Sequence, residues 1–342
     1  MKAIAKVRPA PGVDIVDVPE PKVQPGTVKI KLEAASVCGT DLHIYNWDGW
    51  SASRIHPPRI IGHEFCGTVV EVGEGVESHR IGDFVSSESH IVDQDGWWFR
   101  HGLGHVDPDT RILGVDVDGG FAEFVTIPSA NARLTDRSIP AKYACFQDAL
   151  GNAVHTACAG PVEGRDILIT GMGPIGLFAA TICKALGARA VAATEVSEYR
   201  IGLAHAVGVD TVLHPGRDDV PARLREIAPE GFDGILEMSG HPSSLALAVE
   251  HAKPGGRISM LGVYAENHQT VDLNRVIFKG IQLQGIVGRR LWETWEQMGA
   301  LLQSGKLNLD PVVTHQMHYT EFQEAMELMT HGQAGKVVFT FE

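Results

Sequence analysis

The stretch from Asp166 to Glu195 constrains this chain most. It opens with Asp166-Ile167-Leu168-Ile169-Thr170, an apolar run of strand length, and turns through Gly171-Met172-Gly173-Pro174-Ile175-Gly176. It continues through Phe178, Ala179, Ala180, Ile182, Cys183, Ala185 and Leu186, which read as a helix, and ends with a second strand at Ala190 to Thr194. Strand, glycine turn, helix and strand in that order make a βαβ unit with parallel strands. Further strands are expected at 211–213, 234–238, 256–261 and 281–286, so the region reads as an α/β, doubly wound parallel sheet.

A GxGxxG that leaves a strand and opens a helix is the dinucleotide-binding fingerprint. Gly171 permits the tight turn, Gly173 lets the backbone approach a pyrophosphate, and Gly176 allows close helix packing. Pro174 and Ile175 stand at the start of the helix, whose first amides are donors for an anion. Glu195 follows Gly176 by nineteen residues, at the end of the second strand, where a carboxylate accepts ribose hydroxyls and disfavours the extra phosphate of NADP. The expected cofactor is therefore NAD. Arg200 complicates that preference, since an arginine there either neutralises a phosphate or stacks on adenine. Gly262, Val263, Ile286 and Val287 lie just past two later strands and are candidates to line the nicotinamide, with plain packing an equal account. The bland alternative for the whole motif is a packing turn followed by a surface glutamate, and methyltransferases carry similar loops.

Before residue 151 the texture differs. Short alternating runs at 28–32, 67–72, 84–86 and 121–127, broken by Gly, Pro and Asp, indicate a β-rich domain. After Ile286 an amphipathic helix is expected through Leu291, Trp292, Trp295, Met298, Leu301 and Leu302, ending at Gly305. A further helix near 321–329 and a strand at 336–341 close the chain. That last strand lies outside the alternating region and is expected to return to the first domain. The division is then 1–150 with 291–342 for one domain and 151–290 for an inserted one. At 342 residues two domains are the default.

Composition narrows the partners. Against 42 acidic residues there are 29 basic ones, a formal charge of −13, which repels phosphate backbones and anionic lipids. No nucleic acid or membrane partner is expected, and no apolar run approaches the roughly eighteen residues of a span. The five cysteines are scattered without a CxxC pair, which argues against a disulfide framework. The first strand begins almost at Met1 with no apolar leader, so a cytoplasmic protein is expected.

Two short runs carry metal and proton chemistry: Cys38-Gly39-Thr40-Asp41-Leu42-His43 and Gly62-His63-Glu64. Zinc takes thiolate and imidazole ligands, and a catalytic site keeps about three protein ligands with one position open. Cys38 and His63 supply one of each. Glu64 either coordinates directly or orients another ligand. Zinc lowers the pKa of a bound alcohol as it does that of water, and the proton released needs a path outward, for which Thr40 and His43 are placed. Asp148 adds a carboxylate at the junction between the expected domains. Singly, each of these residues has a bland reading as buried filler or surface polarity.

Together they resemble the zinc-containing medium-chain dehydrogenases, whose signature is opened by Gly62-His63-Glu64 and continued by Gly67, Gly73 and Val76. The resemblance covers the whole chain and implies a β-rich GroES-like catalytic domain interrupted by a Rossmann domain. Within that family the runs from Cys38 to Asp48, from Gly151 to Thr156 and at Glu293-Thr294-Trp295 are similar to the branch that oxidises the side-chain alcohol of L-threonine to 2-amino-3-oxobutanoate with NAD. The resemblance implies that Cys38, His63 and Glu64 bind the catalytic zinc, that Thr40 and His43 relay the proton, and that His90 lies near the substrate. It puts an acidic group near the metal at Asp148, which with its short reach is expected to neighbour the zinc or relay protons rather than ligate. Arg289 or Arg290 is a candidate for the substrate carboxylate. Alternatives are a polyol or secondary-alcohol dehydrogenase of sorbitol or butanediol type, and a nucleotide-binding protein of this fold that has lost catalysis.

The family usually carries a structural zinc held by four cysteines shortly after His90. In register those positions are Asp93, Gly96, Phe99 and Asp107, so one catalytic zinc is expected and the structural zinc is expected to be absent. Trp97, Trp98 and Phe99 suggest that aromatic packing or a subunit contact replaces it; His101 and His105 with Asp93 and Asp107 fit no strong metal motif. The family is usually tetrameric, with this lobe near subunit contacts, so a homotetramer is the expectation that the missing zinc tests.

Overall fold

Thr27–Ser36 alternates Val28, Ile30 and Leu32 with Lys29, Lys31 and Glu33, a period of two that lets a strand bury one face. The computed structural model describes residues 1–341. It separates into two units: Met1–Ala149 with Arg290–Trp292 and Val313 onward, and Leu150–Arg289 with Glu293–Val312.

The first unit opens with β1 (Lys2–Lys6), β2 (Asp14–Asp17) and β3 (Thr27–Ser36), followed by α1 (Gly39–Asn46) and α2 (Gly49–Arg54). Then come β4 (Arg59–Ile60), β5 (Glu64–Val72), β6 (Phe84–Ser87) and β7 (His90–Ile91). A lobe carries the short α3 (Trp97–Arg100) and leads to β8 (Arg111–Ile112), β9 (Phe124–Pro128), β10 (Ala132–Leu134) and α4 (Ala141–Ala144), after which α5 (Gln147–Cys158) begins.

The second unit is built on β11 (Asp166–Thr170), α6 (Pro174–Ala185), β12 (Ala190–Thr194), α7 (Glu198–Ala206), β13 (Thr211–Leu213) and α8 (Val220–Ile227). It continues with β14 (Phe232–Glu237), α9 (Pro242–His251), β15 (Ala252–Met260), α10 (Leu273–Lys279), β16 (Gln282–Gly285) and α11 (Glu293–Gln303). Its six strands lie in the order β13-β12-β11-β14-β15-β16, every pair parallel. This is the doubly wound Rossmann order, which reverses direction between β11 and β14 and leaves a ligand crevice beyond their carboxyl ends. Every residue of β11 is buried, as a central parallel strand covered on both faces requires.

The chain closes with β17 (Val313–His318), α12 (Phe322–Thr330) and β18 (Lys336–Thr340). β18 pairs antiparallel with β3, Val338 opposite Ser36, so the last strand returns to the first unit as its sequence suggested. There it completes a seven-stranded sheet ordered β10-β6-β5-β3-β18-β17, with β9 also on β3. Ile30, Leu32, Phe65, Val69, Phe121 and Phe339 pack in its core.

The expected boundaries, 1–150 with 291–342 and 151–290, shift in one segment. Residues 293–312 cluster with the second unit, because α11 buries Thr294, Trp295 and Met298 and sets Thr294 beside Gly151. Leu291 and Trp292 precede that helix instead of starting it. Trp292 stays with the first unit, where Arg133 lies over its ring at 4.0 Å and Phe99 meets it edge-on at 6.3 Å.

Candidate functional site

Cys38 is the N-cap of α1, in extended conformation at φ −109°, and its backbone N–H donates to Asp41 Oδ2 at 2.9 Å. Capping therefore fixes the thiol at the mouth of the helix. Thr40 Oγ1 lies 3.9 Å from Cys38 Sγ, and His43, three residues on, falls on the same side of α1. Glu64 opens β5 and His63 immediately precedes it, and both are buried. One ligand atom from each of Cys38, His63 and Glu64 lies within 4.8 Å of the others, the one such group of three among the described residues.

The electrostatics of this group call for a cation. Burial works against a charge on His63, but Cys38 and Asp41, with Glu64, outweigh it and push the imidazole pKa up to about 10. Burial also raises the Asp41 carboxyl, an effect that His63 opposes. One Glu64 oxygen is taken by Lys336 and Ser36, both buried. The other, with His63 Nδ1 and Asp41 Oδ1, is buried and has no hydrogen-bond partner. Orphaned polar atoms are costly in a core. A thiolate, an imidazole and a carboxylate oxygen left open side by side fit a zinc ion.

The remaining expected residues fall in two places. Asp148, near the start of α5, accepts the Ser89 amide at 3.1 Å, and so holds the strand end that carries His90; it lies outside the group of three. The His90 amide donates to Glu88 Oε1 at 2.9 Å, and its carbonyl accepts from Asn131. Of the two arginines, Arg289 is 1% exposed, donates to Asn152 Oδ1 at 3.1 Å and lies along Gly151; Arg290 is exposed.

In the second unit Gly171 has φ +89°, and a β-carbon on Gly176 would stand 2.1 Å from the Gly171 carbonyl oxygen. A β-carbon on Gly173 would meet nothing within 4 Å, and Gly173 caps α6 with no side-chain acceptor. The open room at Gly173 and the first-turn amides of α6 that follow Pro174 suit a diphosphate. Glu195 accepts the amides of Met172, Val196 and Ser197 at 2.7, 2.7 and 2.9 Å, so its carboxylate ties the glycine turn to the end of β12. Arg200, in the first turn of α7, has a buried Nε without a hydrogen-bond partner. Gly262 packs against Gly240, Ile286 is buried, and Val263 and Val287 are exposed at 92% and 48%.

Sequence reasoning passed over Lys336, whose place opposite Glu64 depends on β18 returning across 272 residues. It also passed over Glu237 at the end of β14, which accepts from Ser239, Gly240 and Tyr264 and so builds the wall facing the glycine turn. Asp41 had a local signal, three residues after Cys38 in a capping spacing.

Residues 24–136 match the alcohol dehydrogenase GroES-like domain, and residues 174–304 match the zinc-binding dehydrogenase domain. The chain belongs to the zinc-containing medium-chain dehydrogenases. It is 48% identical over 342 residues to the L-threonine 3-dehydrogenase of Pyrococcus abyssi (strain GE5 / Orsay), covering 99% of this chain and 98% of that one. The L-threonine 3-dehydrogenase of Proteus mirabilis (strain HI4320) is 42% identical over 343 residues, with 100% of each chain covered. Among solved structures, alcohol dehydrogenase TADH from Thermus sp. ATN1 superposes with a TM-score of 0.92 at 26% identity, covering 100% of both chains. A short chain alcohol dehydrogenase from E. coli CFT073, complexed with cofactor NADH, gives 0.91 at 27% identity, covering 100% of this chain and 99% of that one.

In this member of the zinc-containing dehydrogenases the lobe after His90 presents no thiolate. Asp93 and Asp107 accept local amides from Asp95 and Asp109, and Phe99 meets Trp292. His101 stacks on Trp97 at 4.2 Å. No helix among the described residues is long and apolar enough to cross a membrane.

Proposed function

We propose that this dehydrogenase oxidises the side-chain alcohol of L-threonine to 2-amino-3-oxobutanoate and passes the hydride to NAD, using a single catalytic zinc held by Cys38, His63 and Glu64. The observation that carries the chemistry is the group of three, a half-buried Cys38 beside buried His63 and Glu64, with two unpartnered polar atoms. The substrate rests on likeness to proteins named L-threonine 3-dehydrogenase across the full chain. Zinc bound there supplies a Lewis acid that makes an alcohol easier to deprotonate. Thr40 then takes the alcohol proton as it gives its own to His43, which is 60% exposed and releases it to water. Asp148 stays beside the site as a positioning carboxylate with His90, and the exposed Arg290 is the partner for the substrate carboxylate.

NAD in place of NADP is supported by Glu195, a buried carboxylate where a second phosphate would stand. A single zinc is supported by Asp93, Gly96, Phe99 and Asp107. The five free cysteines suit a reducing cytoplasm, and a charge of −13 suits a protein with no nucleic-acid partner. A homotetramer needs two kinds of contact. Two exposed apolar surfaces are available: α10 with the edge strand β16, and the Trp97–Trp98 lobe.

The test is NADH formation with L-threonine beside sorbitol and butanediol, together with zinc analysis. Turnover of L-threonine with about one zinc per chain is expected. Turnover of only the other two alcohols would replace the substrate, and NADH binding without any turnover would replace the enzyme with a nucleotide-binding protein.

A further inference from the structure

Between α1 and α2 the chain makes an unusual turn. Trp47 has φ 54°, the one non-glycine residue with positive φ among those described. A bulky side chain pays strain in the left-handed region, and such strain gathers where geometry matters. Trp47 is held there by Lys6, a buried lysine whose Nζ donates to the carbonyls of Ala10 and Gly12 at 2.7 Å each and sits 4.9 Å above the Trp47 ring. The turn's product is the placement of Asp48 under His43. Asp48 Oδ2 lies 2.5 Å from His43 Nδ1, while Asp48 Oδ1 accepts the Ser51 amide at 2.9 Å and caps α2. Trp50 meets the same imidazole edge-on at 6.1 Å.

We infer that Asp48 is a positioning residue for proton transfer: its carboxylate fixes the His43 imidazole with the proton on Nδ1 and the lone pair on Nε2. The inference rests on the reading of His43 as the proton acceptor. A carboxylate has no proton to give at neutral pH, so the contact requires His43 to donate from Nδ1. Nε2 is then the basic nitrogen. During oxidation the alcohol O–H bond breaks, its proton passes to Thr40 Oγ1, and the Thr40 proton moves to Nε2. The imidazolium that forms keeps its Nδ1–H on the Asp48 carboxylate, and the Nε2 proton leaves to water. Because one oxygen caps α2 and the other holds His43, the imidazole is tied to a helix end and cannot swing freely. The same division of labour, a carboxylate fixing a histidine tautomer, serves hydrolytic triads.

The substitution that isolates this role is Asp48→Asn. Asparagine caps helices as well as aspartate does. With its oxygen on the Ser51 amide, it turns an NH2 toward Nδ1, which then becomes an acceptor and sends the proton to Nε2. We expect kcat for L-threonine to fall by about tenfold or more, with KM for NAD and the unfolding midpoint unchanged. Proton-nitrogen NMR of histidine-labelled protein should show the His43 proton moving from Nδ1 to Nε2. Asp48→Ser keeps the cap without the carboxylate and should give a smaller loss. His43→Ala provides the reference. If it leaves kcat intact, the relay reading fails and takes this inference with it. If His43→Ala is slow while Asp48→Asn turns over normally, or turns over slowly with the tautomer unmoved, the relay stands and the role of Asp48 is overturned.

Discussion

At the scale of single residues, the charge around His63 makes the strongest claim. Its raised pKa means that the zinc-free chain holds a proton there which an unfolded histidine, near 6.5, would release. A group raised on folding stabilises fully below its unfolded pKa and loses that contribution as pH climbs through the folded one. Zinc-free protein should therefore lose stability between pH 6.5 and about 10, by at most about 5 kcal/mol. Zinc replaces the proton, so the loaded protein should not show this slope, and zinc affinity should strengthen with pH over the same range. Urea unfolding at several pH values, with and without chelator, reads both; parallel curves would mean that His63 is not protonated in the empty site. Lys336 makes the complementary case. It is 2% exposed and paired with Glu64, so Lys336→Met leaves a buried carboxylate without its counter-ion, a change that costs about 3 kcal/mol or more. The cost should be smaller when zinc is bound, because the metal then meets the Glu64 charge. Equal costs in the two forms would show that Glu64 does not face the metal.

At the scale of elements, the lobe between β7 and β8 packs through an aromatic side chain. Phe99 stands where the family usually has a zinc-binding cysteine, and its ring now leans on Trp292, which Arg133 covers from another direction. Phe99→Ala should remove that contact and loosen the lobe by about 1–2 kcal/mol, for a half-buried aromatic contact. Hydrogen exchange should then quicken within residues 92–109 and stay unchanged in β3 and β5. Chelator should leave the lobe of the unsubstituted protein as protected as before; faster exchange on chelation would point to a metal in it. Periodicity made the regular elements legible: β11, β12 and β13 begin and end where their apolar runs do. It failed at Leu291 and Trp292, whose apolar spacing continues the pattern of α11. No helix-start signal separates them from it, and only the distant Phe99 and Arg133 decide where Trp292 goes. Asp48 was hidden for a related reason: it lay inside a recognised run, but its contact with His43 depends on a left-handed tryptophan that no propensity favours.

At the scale of the molecule, the return of the chain end was legible because its last strand follows helices that separate it from the alternating region, and β18 does pair with β3; its parallel neighbour β17 had no such signal. Lys336 was not legible, since its partner lies across the whole insertion. Assembly depends on surfaces that a sequence does not rank. β16 is an edge strand with all four residues exposed, and α10 beside it exposes Leu273, Ile277 and Phe278 at 63%, 69% and 87%. An edge with free backbone groups and apolar neighbours is a template for pairing with another chain, and nothing charged on β16 blunts it. In the proposed homo-oligomer, a second copy of the same edge would close the contact without leaving another edge open. Phe278→Glu with Leu283→Lys should therefore split the proposed homotetramer into smaller species by sedimentation velocity. The second unit should still bind NADH, because neither side chain touches the glycine turn or Glu195. An unchanged sedimentation coefficient for the double variant would exclude this edge as a subunit contact and leave the Trp97–Trp98 lobe to carry whatever association occurs.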